Sequence, residues 1–239
     1  MKWYKQNMIF HFLIYCLIFT SFLTSQWISF DLSKADAATF DKQVEPTIIS
    51  SVLTGGRSTL LNLTPNQRLG IAVSMPIGWD IAKTSYQLNP FIHPFMVEGQ
   101  LLITENLVLK GKMNMFSNGE ESVQVAGYGC NYFANSWFSS VSIGWLEGPK
   151  HLRVRFVDTA VTMKKSLFNM PVLFGAGFNK YRGNILGLNS DELPGKIENS
   201  ISYLIAETEL QFSGIDIELQ TQIHFKFVQF NVTIFRLFF

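Results

Sequence analysis

Charge is what this chain has least of. Only 15 % of its 239 residues are charged, against about 25 % in an average soluble domain, which is too few ions for a surface wetted on every side. The charges it has nearly cancel, at a net +1, and no basic stripe of the kind nucleic-acid binders carry is present. There are two cysteines. Loss of the N-terminal segment with Cys16 would leave Cys130 alone, so no internal disulfide is expected. Beyond that segment no stretch reaches the roughly 20 apolar residues a helix needs to span a bilayer. Any later entry into a membrane therefore requires a closed sheet. Sustained helical periodicity is missing, as is any repeat of about 20–50 residues. His93, His151 and His224 lie far apart with no metal-ligand spacing, and no cofactor is implied.

The N-terminus has the layout of an export signal. Lys2 and Lys5 precede an apolar run over 8–30, and Ala35-Asp36-Ala37 offers a small-x-small cleavage site before Ala38. The alternative is an uncleaved anchor. Residues 1–37 are read as the signal, 38–66 as a periplasmic lead-in of uncertain structure, and 67–239 as one β-domain. Within the lead-in, 47–53 is β-branched enough for a strand, with a turn at Thr54-Gly55-Gly56.

The β-domain is legible from its end backwards. Over 215–227 apolar and polar residues alternate strictly, and the phase then flips so that Val228, Phe230, Val232 and Ile234 become the apolar set. Period-two alternation marks a half-exposed strand. The same reading gives strands at 68–75, 97–104, 107–115, 121–130, 136–146, 151–161, 171–181 and 201–212, with two more in the closing hairpin. The spacing suits membrane strands of about 9–11 residues. If the flip at Phe227/Val228 is a tight turn there are ten strands, and if it is a bulge there are nine. Ten places the long connections 76–96 and 182–200 on the side opposite the chain end, as outward loops are placed in membrane barrels. Eight and twelve strands remain alternatives.

Charges sort to one side of these strands. Lys110 and Lys112 face away from Leu109 and Met113; Arg153 and Arg155 oppose Leu152, Val154 and Phe156; Glu207 and Glu209 oppose Leu204 and Ala206. A cation on a lipid-facing midplane position costs about 2–4 kcal/mol, so the ionised set is expected in the lumen. That set is Glu98, Lys110, Lys112, Arg153, Arg155, Glu207, Glu209, Asp216 and Glu218, paired into a charge network that fills the barrel. Trp79, Phe91, Trp137, Trp145, Phe178, Tyr181 and Phe239 fall near strand ends, where interfacial girdles lie. Ser139, Ser142 and His151 are the nearest approach to a hydrolytic constellation. No nucleophile elbow accompanies them, and the chain is not expected to be an enzyme.

In its signal, strand spacing, loop asymmetry and terminal Phe239, the chain resembles small bacterial outer-membrane β-barrel proteins. The resemblance implies an all-β, antiparallel up-and-down transmembrane β-barrel in the outer membrane, with the lipid bilayer as its partner. It also implies that Phe235, Leu237 and Phe239 form the address read by the barrel-assembly machinery. The expected role is structural, adhesive or narrow transport. The alternatives are a soluble, exported lipocalin-like barrel with an apolar ligand inside and, less favoured, a barrel lipid hydrolase.

Overall fold

The computed structural model describes residues 45–81, 91–92, 95–114, 124–147, 152–167, 170–185, 195–212 and 215–239. The proposed signal (1–37) and His93 and His151 lie outside them, as do 82–90, 93–94 and 186–194 of the two long connections.

One helix, α1 (Glu45–Gly56), precedes eleven strands: β1 (Leu69–Asp80), β2 (Phe91–Ile92), β3 (Met96–Thr104), β4 (Leu107–Asn114), β5 (Gln124–Ala134), β6 (Trp137–Glu147), β7 (Leu152–Leu167), β8 (Met170–Ile185), β9 (Lys196–Phe212), β10 (Ile215–Ile223) and β11 (Phe227–Phe238). Each strand from β3 onward pairs antiparallel with the next, and β1 closes the ring on β11 along its whole length, from Leu69↔Phe238 to Asp80↔Phe227. β3 pairs with the first half of β1, and the two-residue β2 resumes that line at Ile77↔Ile92. The wall is therefore ten-stranded, with its second strand in two pieces. Pro76, which has no amide hydrogen to give, falls in the gap between β3 and β2.

Several strands run further than the sequence expectation. β7, β8 and β9 run to 16, 16 and 17 residues, longer than a membrane crossing needs, and consume most of the expected 162–170 link and part of the 182–200 loop. β5 continues through Asn131 to Ala134, so the turn shrinks to Asn135-Ser136, with Asn135 at φ 51°. Asn tolerates this left-handed conformation better than most residues.

The closing hairpin turns earlier than the phase flip suggested. His224 and Phe227 bond each other's backbone at 2.8 and 3.2 Å around a two-residue turn, Phe225-Lys226. Neither turn residue has positive φ, so no glycine or asparagine is needed there. Phe227 consequently belongs to β11 and points inward, 1 % exposed, not outward with Ile223 and Phe225.

Residues 45–61 do not trail into the periplasm; α1 and the five residues after it are buried in the barrel interior, and the chain comes to the surface from Asn62 onward. The expected strand at 47–53 is a helix. Ile48, Ile49 and Val52 favour strands intrinsically, but a closed barrel offers no edge for a strand to join. A segment inside it has to satisfy its own amides, which a helix does. Glu45 and Pro46 suit the first turn, and Gly55-Gly56 ends it. Gly55 lies so close to the wall that a Cβ there would sit 2.3 Å from Phe156 Cζ.

Candidate functional site

The lumen is the site, and it has two halves. At the end carrying the longer connections, Ile48, Ile49, Val52 and Leu53 of α1 pack against Leu146, Leu152, Val154, Phe156, Tyr181, Ile201 and Phe227 of the wall. Further in, the chain after Gly56 leaves the helix, and its backbone is met by wall side chains. Ser142 Oγ donates to the Gly56 carbonyl at 2.8 Å, and Lys112 Nζ to that of Arg57. Gln220 Nε2 donates to the Ser58 carbonyl at 3.1 Å, and Gln100 Nε2 to that of Thr59 at 2.7 Å. The Thr59 and Leu60 amides donate to Glu98 and Glu218, at 3.4 and 2.8 Å. This segment pairs with no strand of the wall, so these polar side chains satisfy its backbone instead.

Arg57 is the centre of this layer. Its guanidinium lies 3.1 Å from Glu218 and also donates to Thr233 at 2.9 and 3.0 Å and to Thr59 at 2.9 Å. Both members of the ion pair are withdrawn from water, with side chains 2 % and 0 % exposed. A little further round, Tyr203 donates to both oxygens of Asp158 at 2.8 and 2.9 Å, and Asn179 Nδ2 donates to the same carboxylate at 2.8 Å. The Tyr203 ring reaches it across Gly177, whose missing Cβ would lie 2.3 Å from Cζ.

The expected luminal charges divide. Glu98, Lys110, Lys112, Glu207 and Glu218 are buried inside, and Glu209 and Asp216 lie at the inner mouth beside Asn62 and Lys164. Arg153 and Arg155 are not in the lumen. They face outward, and Leu152, Val154 and Phe156 take the inner side. The inversion has a physical reason: the wall around an apolar helix has to be apolar, so at this level the greasy face of β7 belongs inside. Tyr181, 0 % exposed, is likewise part of the interior and not of an outer girdle. Trp137, Trp145 and Phe178 do face outward. Phe235 packs inside against Leu61 and Ala72 with Leu237 beside it, whereas Phe239 is exposed.

Arg57, Ser58, Thr59, Asp158, Asn179 and Tyr203 are the interior residues that sequence reasoning missed. A lone arginine just after a Gly-Gly turn gave no period-two signal, and Asp158 was hidden among the alternating residues of β7. Ser139 faces outward, whereas Ser142 faces inward and is bonded to Gly56; the two do not share a site. Among the described residues no group of His, Cys, Asp and Glu could hold a metal.

The outer face of the wall is apolar through its middle: Ile71, Val73, Leu101, Leu109, Met113, Tyr128, Val141, Ile143, Val161, Phe174, Leu204 and Ile234 are all exposed. Contiguous apolar surface of this extent is foreign to soluble monomers. No family model matches the chain, and no curated protein matches it. Among solved structures it is similar to Ail, the attachment invasion locus protein of Yersinia pestis, at 11 % identity over 71 % of this chain and 94 % of that one (TM-score 0.30). The translocator domain of autotransporter NalP from Neisseria meningitidis aligns at 7 % identity over 86 % and 98 % (TM-score 0.43). The N-terminal β-barrel domain of Pseudomonas aeruginosa OprF aligns at 12 % over 71 % and 97 % (TM-score 0.32). Closed, antiparallel, up-and-down and apolar outside, the chain has the architecture of small bacterial outer-membrane β-barrels.

Proposed function

We propose that this protein is an integral barrel of the bacterial outer membrane that serves as a closed, non-conducting anchor. Its structural or attachment role is carried at the outer rim. One observation carries the reading: the lipid-compatible outer belt encloses a lumen already filled by α1 and residues 57–61. Narrow transport would need that segment to leave. A lipocalin-like role would need ligand space where Ile48, Val52 and Leu53 already pack. No catalytic step is assigned to it. Its partners are the bilayer and, during insertion, the barrel-assembly machinery.

The test is recovery of the full chain in the outer-membrane fraction, with different gel mobility before and after boiling, followed by planar-bilayer recording. The wild-type protein is expected to give no steady conductance. Release as a detergent-free soluble protein would reject the membrane reading, and a large, stable conductance would reject the closed lumen.

A further inference from the structure

Outward-facing charge is confined to a few places on this wall. Arg236 on β11 and Lys165 on β7 lie at the inner strand ends. Every other outward-facing charge on the described strands sits at the outer ends of four neighbours: Glu147 on β6, Arg153 and Arg155 on β7, Lys180 and Arg182 on β8, and Lys196 and Glu198 on β9. Five cations thus face two carboxylates in one sector.

The two carboxylates offset only part of this charge. Glu147 lies 3.8 Å from Arg153, and Glu198 lies 3.2 Å from Lys180. Arg155 and Arg182 are direct cross-strand partners, like charges whose opposition destabilises a sheet, and Glu198, the partner of Arg182 on its other side, is the one carboxylate among the described residues that abuts them. The patch also starts where the apolar belt ends. Arg155 is the register partner of Trp145, and Lys180 that of Val157. Phe178 and Leu204, both exposed, lie just below. Strand residues advance about 3.3 Å each, so the Arg155–Arg182 row lies two residues beyond the Val157 row, at the edge of a surface suited to acyl chains.

We propose that this sector binds a phosphorylated glycolipid of the outer leaflet. Arg155 and Arg182 share one phosphate, Lys196 and Arg153 flank it, and the acyl chains lie along Val157, Phe178 and Leu204. Guanidinium groups suit phosphate because their planar donors can engage two oxygens at once. The proposal rests on the membrane-barrel reading above.

The test uses the purified full chain in detergent micelles, titrated with bisphosphorylated lipid A, with the same lipid stripped of its phosphates, and with inorganic phosphate. The wild-type protein is expected to prefer the phosphorylated lipid over both of the others. The double variant Arg155→Gln/Arg182→Gln is expected to bind lipid A about thirty-fold more weakly, from two basic residues near a charged membrane surface. Its lipid-free unfolding temperature should stay level, because losing the Arg155–Arg182 opposition offsets losing the Arg182 cation opposite Glu198; a merely structural role would lower it. Lys180→Gln/Lys196→Gln gives a second, independent reading if the first variant does not fold. Unchanged lipid A affinity in a folded variant overturns the proposal, as does equally tight binding of inorganic phosphate or the stripped lipid. Failure of the barrel reading would show separately, as a chain that stays soluble without detergent.

Discussion

Arg57 and Glu218 meet at 3.1 Å in the middle of the barrel, one on the segment threading the lumen and the other on β10. Glu218 uses its second oxygen to accept the Leu60 amide, so a single carboxylate fixes both the side chain and the backbone of the plug. Removing one member strands a buried charge, which costs about 3–5 kcal/mol, whereas replacing both with apolar residues often costs far less. Arg57→Ala and Glu218→Ala should each lower unfolding resistance in micelles by that order, and Arg57→Met/Glu218→Leu by much less than their sum. Urea titration of the gel-mobility transition checks this. Additive losses would mean that the pair does not act as a unit.

A second expectation concerns Gly177 and Tyr203. A Cβ at 177 would lie 2.5 Å from the Tyr203 hydroxyl and 2.3 Å from Cζ, and the ring cannot retreat without releasing Asp158. Overpacking of this kind costs about 1–3 kcal/mol. Gly177→Ala should therefore destabilise the barrel. In a Tyr203→Leu background, where nothing crosses the glycine, the same change should cost little. Equal losses in both backgrounds would refute the contact.

The architecture was readable because a barrel wall repeats every two residues, and ten such runs with asymmetric connections leave few topologies. The interior was not readable, for one reason: alternation tells which residues share a face, not which face is inside. Assigning charge to the lumen agrees with the burial of Glu98, Lys110, Lys112, Glu207 and Glu218, where the lumen is polar. It fails on β7, where α1 makes the lumen apolar and Arg153 and Arg155 face out. It fails at Phe227 because a turn without glycine left the register unmarked. The plug itself, read as strand plus turn, gave no sign that it would lie inside a ring with no free edge.

His224 supplies a pH test at the outer hairpin. Burial first, and then the Lys226 ammonium, hold its imidazole below the ordinary range, and its Nδ1 accepts the Lys226 amide at 3.3 Å. A histidine with a depressed folded pKa favours the folded state only while it is neutral. Its support is complete above the unfolded value of about 6.5 and is lost as the pH falls below that toward the folded one. Acidification should thus destabilise the wild-type barrel through this window more steeply than His224→Gln. Parallel pH profiles of unfolding for the two proteins would contradict it.

The direction of the thread is the most consequential expectation. Glu45 accepts a hydrogen bond from Asn199, near the outer start of β9, at 3.4 Å. Asn62 donates to Glu209 at the opposite end, close to where β1 begins. The chain therefore runs down the lumen from the loop side to the turn side before it enters the wall. In a Cys130→Ser background, Glu45→Cys on intact cells should react with a membrane-impermeant maleimide. Asn62→Cys, exposed at the inner mouth, should react only after the outer membrane is permeabilised. The two sites lie on one continuous segment, so the reverse pattern would mean that the barrel is inserted the other way round. Labelling of both sites on intact cells would mean that the segment leaves the lumen, and the closed-anchor reading would fall with it.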